Sequence, residues 1–183
     1  MRAPLRLAAL PVSLLSILAC WQSPDRRAAN LIEDLRSPDA AAVDRAVRQL
    51  VEMGEPAVPA LIDALKDPEA RVRNAAASAL WGLGPKARNA VPTLAEALAD
   101  TDDGVRLGVV MALESVGRDA AAAVPALARA VRDRDGNVRL WAAKALAKIG
   151  PPARSALPAL TEAARYDSTR AAAEDAIRAI KGP

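Results

Sequence analysis

The sequence predicts an all-α chain, an α-α superhelix of about five stacked helical hairpins, and three observations carry that expectation. The string "VPAL" stands at Val58–Leu61 and again at Val124–Leu127, with "VPTL" at Val91–Leu94 and "LPAL" at Leu157–Leu160, so the starts are 33 residues apart. Behind these strings run segments whose apolar residues recur at spacings of four, four and three, one face of a helix. Apolar residues make up 52% of the chain but aromatics only 2%, with no Phe. An Ala, Leu and Val core suits closely packed helices, whereas strands favour β-branched and aromatic residues. At 183 residues the chain is long enough for one buried domain and short for two.

The first segment stands apart. "MRAPLRLAALPVSLLSILAC" opens with Arg2 and Arg6 and continues in a mostly apolar run from Leu7 to Ala19. Thirteen helical residues span about 20 Å, short of a hydrocarbon core of about 30 Å, so the run reads as an export signal rather than a membrane span. It ends in "ILAC", and Cys20 is the one cysteine of the sequence. These residues resemble a bacterial lipoprotein signal, in which an aliphatic residue and two small ones precede a cysteine that receives lipid. Ile17 and Ala19 fit that pattern, while Leu18 is bulkier than it asks. The resemblance implies a signal peptide at 1–19, lipidation at Cys20 and a short anchor at 20–27, ahead of a repeat domain at 28–183. An ordinary signal peptide that contains a cysteine is the alternative. Removing Arg2 and Arg6 from the 25 basic residues leaves 23 against 22 acidic ones, a net charge of +1.

"SPD" at Ser23–Asp25 reads as an N-cap, a first-turn proline and an acidic first turn. Fewer than five residues then separate Cys20 from the first helix, which implies an array held close to the membrane. From Leu31 to Gly54 runs "LIEDLRSPDAAAVDRAVRQLVEMG", followed by full copies at Leu61–Gly84, Leu94–Gly117 and Leu127–Gly150 and a shortened last copy, "LTEAARYDSTRAAAEDAIRAIKG". The first helix of each full copy carries Leu61 with Leu65, Leu94 with Leu98, or Leu127 with Val131. The second carries Val72, Ala76, Leu80 and Leu83; then Val105, Val109, Leu113 and Val116; then Val138, Ala142, Leu146 and Ile149. Gly84, Gly117 and Gly150 follow as stops. Val is a poor N-cap, so Pro59, Pro92, Pro125 and Pro158 are expected to kink a helix begun one turn earlier. Atypical first and last copies are what the two ends of a stacked array require.

The period alone admits several repeat families. Ankyrin's "TPLHxA" is absent from a chain with no His, and the tetratricopeptide pattern is missing. "VPALIDALKDPEARVRNAAASALWGLG" and its copies, with a proline in the first helix, an Asp at the turn and "VR" opening the second helix, resemble HEAT repeats of the PBS-lyase type over roughly residues 28–181. The resemblance implies a ladder in which Asp67, Asp100 and Asp133, each six residues before Arg73, Arg106 and Arg139, bond turn N–H groups. Each Asp would also meet the Arg of its own or a neighbouring unit. The first copy departs with Ser37 and Val43, and the last has Asp167 and Arg170 at altered spacing.

Chemistry finds little footing. The acidic turns "DTDDG" at Asp100–Gly104 and "DRDG" at Asp133–Gly136 lack the closing Glu of a calcium loop, since that position is Met111, and read as caps and ladder. HEAT-like enzymes with His–Glu metal pairs are excluded by the absence of His. "GLGPKA" at Gly82–Ala87 has neither the third glycine nor the preceding strand of a dinucleotide loop. No catalytic, cofactor or metal residue is therefore expected. Near-neutral charge, with each ladder Arg matched by an Asp, argues against nucleic acid.

Surface remains. Measured at 100° per residue from Val72, the face opposite the core carries Asn74, Ser78 and Trp81; Leu107, Met111 and Glu114; and Leu140, Lys144 and Ala147. Trp81, Leu107, Met111 and Leu140 are apolar where solvent is expected, and the resemblance puts second helices on the concave side. These four are the candidate partner site, unless curvature or a neighbouring helix buries some of them. Trp141, on the flank, is expected to pack between units. The expected function is a non-catalytic scaffold at the cell envelope that binds a protein partner through its second helices. An accessory subunit of a lyase or chaperone and a structural spacer are the rivals.

Overall fold

The computed structural model describes residues 23–182, so the signal segment and Cys20 lie outside the described residues. Ten α-helices are present there, joined in pairs: α1 Pro24–Asp34 with α2 Ala40–Met53, α3 Val58–Ala64 with α4 Ala70–Leu83, and α5 Val91–Ala97 with α6 Asp103–Val116. The last two pairs are α7 Val124–Ala130 with α8 Gly136–Ile149, and α9 Leu157–Ala163 with α10 Arg170–Lys181. These are the five hairpins that the 33-residue period implies.

Most of the longer helices begin or end at a local signal. Ser23 caps α1 and Asp39 caps α2 through side-chain oxygens that accept N–H groups of the first turn. Asp102 accepts from Val105 N–H at 3.0 Å, and Asp135 from Asn137 and Val138 at 2.8 and 3.0 Å. Gly54, Gly84, Gly117 and Gly150 close α2, α4, α6 and α8 with φ between 57° and 73°, a region in which a Cβ is strained.

The prolines act differently from expectation. The turn before each "VP" string is helical, but as a 3-10 segment: Glu55–Ala57, Gly84–Ala90, Gly117–Ala123 and Pro151–Ala156. Pro59, Pro92, Pro125 and Pro158 therefore sit in the first turn of α3, α5, α7 and α9 instead of kinking an α-helix begun earlier. At that position the missing N–H has no intrahelical partner to lose.

The core runs unbroken along the array. Every residue of the three second-helix stripes is buried, from Val72 to Ile149, as are Leu61, Leu65, Leu94, Leu98, Leu127 and Val131. Second helices pack directly on one another, α4 on α6 on α8 on α10, while the α-helical parts of the first helices touch sparsely. Alanines 75, 76, 77 and 79 and Gly108 permit this close approach of the second helices. No described helix is long and apolar enough to cross a membrane.

Candidate functional site

Two features recur on this scaffold: a polar ladder along the turns, and an apolar groove on the second-helix face. In the ladder, Arg73 and Arg106 reach forward to the Asp of the next unit. Arg73 donates from Nε and Nη2 to Asp100 at 2.7 and 2.9 Å, and Arg106 to Asp133 at 2.8 and 3.0 Å. The remaining nitrogen of each fork holds its own turn, with Nη1 donating to the carbonyls of Asp67 and Asp100 at 2.8 and 2.9 Å. Asp67, Asp100 and Asp133 each accept the N–H two residues on, at 2.9 Å. Of the two placements that the sequence left open, Arg73 and Arg106 adopt the neighbouring unit, whereas Arg139 meets the Asp carboxylate of neither unit.

These pairs are withdrawn from water, with side-chain exposures of 6% for Arg106 and 11% for Asp133. The hydrogen bond from Arg73 holds Asp100 below the usual carboxylate range, and the same bond raises Arg73. Burial pushes Asp133 upward, yet Arg106 and the Asp135 N–H outweigh it and the net displacement is downward. The exposed Asp103 is lowered by hydrogen bonds from Arg134 first and Arg106 second.

Two members of the ladder escaped the sequence reading. Asp67 is met by Arg36, which stands in the first turn of the array rather than at the second-helix position held by Val43. Arg134 forms a parallel strut to Asp103 and to the Thr101 carbonyl, the latter at 3.1 Å. The acidic turns are thus engaged by guanidinium groups and helix caps. Among the described residues no group of three carboxylates is placed to hold a metal ion.

The groove lies between α4 and α6. Asn74, Ser78 and Trp81 form one wall; Gly104, Leu107, Gly108 and Met111 form the other, around a volume of about 210 Å³. Its depth depends on Gly108, where a Cβ would stand 3.0 Å from Asn74 Oδ1 and 3.1 Å from the Ala77 Cβ. Trp81 is the exposed member at 47%, whereas Leu107 and Met111 are half-buried. Leu140 is not among the lining residues; it is half-buried one helix further on, so three of the four expected residues come together. A helical wheel places a side chain on its own helix, and the adjoining helix decides how much of it water reaches. Trp141 packs partly buried against the core with Lys144 Nζ 4.3 Å from its ring centroid, as expected of a flank residue.

Repeated helical hairpins with a shared core and a buried forward-reaching ladder define an α-solenoid of the HEAT and armadillo class. The HEAT repeat family matches residues 28–114 and again 91–181, and the chain belongs to that family. Among solved structures it is similar to the complex of CpcE and CpcF of phycocyanin lyase from Nostoc sp. PCC7120. Identity there is 21%, the TM-score 0.69, and 82% of this chain and 98% of that one are covered. A designed armadillo repeat protein in complex with the peptide (KR)4 aligns at 17% identity and a TM-score of 0.64, over 92% and 93% of the two chains. At such identities the likeness is one of fold. No curated protein sequence matches significantly.

Proposed function

We propose that the protein is a non-catalytic adaptor of the bacterial cell envelope, held by lipid on Cys20, that binds a protein partner through its second-helix face. The observation that carries this reading is Trp81, a large aromatic left 47% exposed on the wall of a groove in an otherwise well-packed repeat array. Trp and Met are effective anchors because each covers much apolar area, and the Gly108 floor leaves room for an inserted side chain. Asn74 and Ser78 give the groove a polar edge, the pattern of an interface with a desolvated centre and a wet rim. A chain of Cys20 to Ser23 leaves little slack, so the lipid holds the array near the membrane surface.

The test is a photo-crosslinking amino acid at position 81 in living cells, read on gels of the membrane fraction. A discrete adduct that disappears with Met111→Glu, in protein that remains folded, supports the adaptor. An adduct to an enzyme would make the chain an accessory subunit. Absence of any adduct from folded, membrane-associated protein would overturn the reading in favour of a spacer. Substitution of Cys20 by Ser should release the chain from membranes.

A further inference from the structure

The ladder has an open end. Arg139 is built like Arg73 and Arg106: its Nη1 donates to the Asp133 carbonyl at 2.8 Å and to the Arg134 carbonyl at 3.1 Å. In the two preceding rungs the other edge of the fork, Nε and Nη2, holds a carboxylate 27 residues ahead. At Arg139 that edge is bare of acid. Nη2 reaches only the Ser168 hydroxyl at 3.5 Å, and Nε is buried without a hydrogen-bond partner among the described residues.

The reason lies in one residue. Continuing the series 67, 100, 133 by 33 residues leads to Tyr166, and the first helix ends there with the same backbone bond, though the turn that follows is one residue longer. Tyr166 N–H donates to the Ala163 carbonyl at 3.1 Å, as Asp133 N–H does to Ala130 at 3.0 Å. A tyrosine therefore stands at the chain position of the carboxylate, and it is 56% exposed. Asp167, the next residue, is paired with Arg170 at 2.7 Å instead.

We infer that the Arg139 fork is a binding site for a carboxylate brought from outside the array. A planar guanidinium matches a carboxylate with two parallel N–H bonds, and this one is already oriented by its bonds to the turn, so little side-chain freedom is lost on binding. The two filled rungs set the expected geometry: Nε to oxygen at 2.7 to 2.8 Å and Nη2 to oxygen at 2.9 to 3.0 Å. The loop Tyr166–Thr169 must yield slightly for entry, because the bare Nε is covered. The carboxylate comes from an acidic side chain or chain end of a polypeptide, or from a small free acid; the chemistry at the fork is shared. The site is independent of the Trp81 groove and stands or falls apart from it.

The test uses the full chain labelled with ¹⁵N, following the Arg139 Nε–H signal and the Ser168 amide. Sodium acetate is titrated against sodium chloride at equal ionic strength, and then a tetrapeptide ending in Asp. The expected result is a saturable acetate response, with a dissociation constant on the order of 10 mM, that chloride does not reproduce. Tyr166→Asp should place the Arg139 signal near its acetate-bound position without ligand and abolish the response. Arg139→Lys keeps the charge but loses the fork, and should weaken the Ser168 response at least about threefold. Tighter binding of the peptide than of acetate assigns the carboxylate to a polypeptide, and equal affinity to a small acid. A response to acetate no different from that to chloride overturns the inference. So does a folded Tyr166→Asp protein that still responds like the unaltered chain.

Discussion

Asp133 and Arg106 show what a single rung contributes. Once buried, each charge depends on the other, so removing one partner costs more than the pair is worth. Asp133→Ala should therefore destabilise by about 3 kcal/mol, while the double change Arg106→Met with Asp133→Leu should recover more than half of that in urea unfolding. The carboxylates also fix the response to acid. Asp100, Asp103 and Asp133 lie below the ordinary value of 3.8 in the folded chain. The unfolded chain therefore takes up protons first as pH falls. Their contribution is complete above the ordinary carboxylate range and is lost as pH drops through their lowered values. The urea midpoint should be flat from about pH 7 to 5 and decline below about pH 4.5, less steeply in the Asp133→Ala protein. The six-residue spacing of Asp and Arg was legible because it is local. The pairing partner was not, because it depends on how one unit stacks on the next, and Arg36 serves Asp67 from the first-helix end, the position held by Lys66, Ala99 and Arg132 in later units.

The helices were legible for similar reasons. Apolar spacing, acidic caps and closing glycines all act within a few residues, and α2, α6 and α8 start and stop where they indicate. The short first helices were less so. Whether the turn before a proline is α or 3-10 rests on how tightly it must wind to reach the preceding helix, which the string "VP" does not encode. Contact between second helices also has a position of its own. A Cβ on Gly82 of α4 would lie 2.7 Å from Val51 Cγ2 of α2, closer than two carbons approach. Gly82→Ala gains about 1 kcal/mol of helix propensity but incurs an overpacking cost of roughly 1 to 3 kcal/mol. It should be net destabilising in thermal unfolding. With Val51→Ala already present the same change should become stabilising, and a persistent loss there would refute the contact as its cause.

Along the whole array, inner units are packed on both sides and end units on one. Stability in such a stack is close to a sum over units and their interfaces. Amide hydrogen exchange should be slowest in α4, α6 and α8 and fastest in α1 and α10, the latter lying beyond the open rung at Arg139. The Trp81 groove belongs to this scale as well. Its three lining apolar residues were legible from a helical wheel, but its limits were not, since Leu140 falls outside a volume bounded by two helices rather than three.

Because Arg36, Arg73 and Arg106 each reach toward the C-terminus for the Asp of the next unit, the main rungs of the ladder have a direction. A chain emerging from the ribosome exposes a main-rung guanidinium before the Asp of the following unit has been made, as with Arg73 ahead of Asp100. A product stopped after α4 presents Arg73 without Asp100, and one stopped after α6 presents Arg106 with Asp103 but without Asp133. Among the ladder rungs of the described residues, the finished protein keeps such an unmatched fork at Arg139.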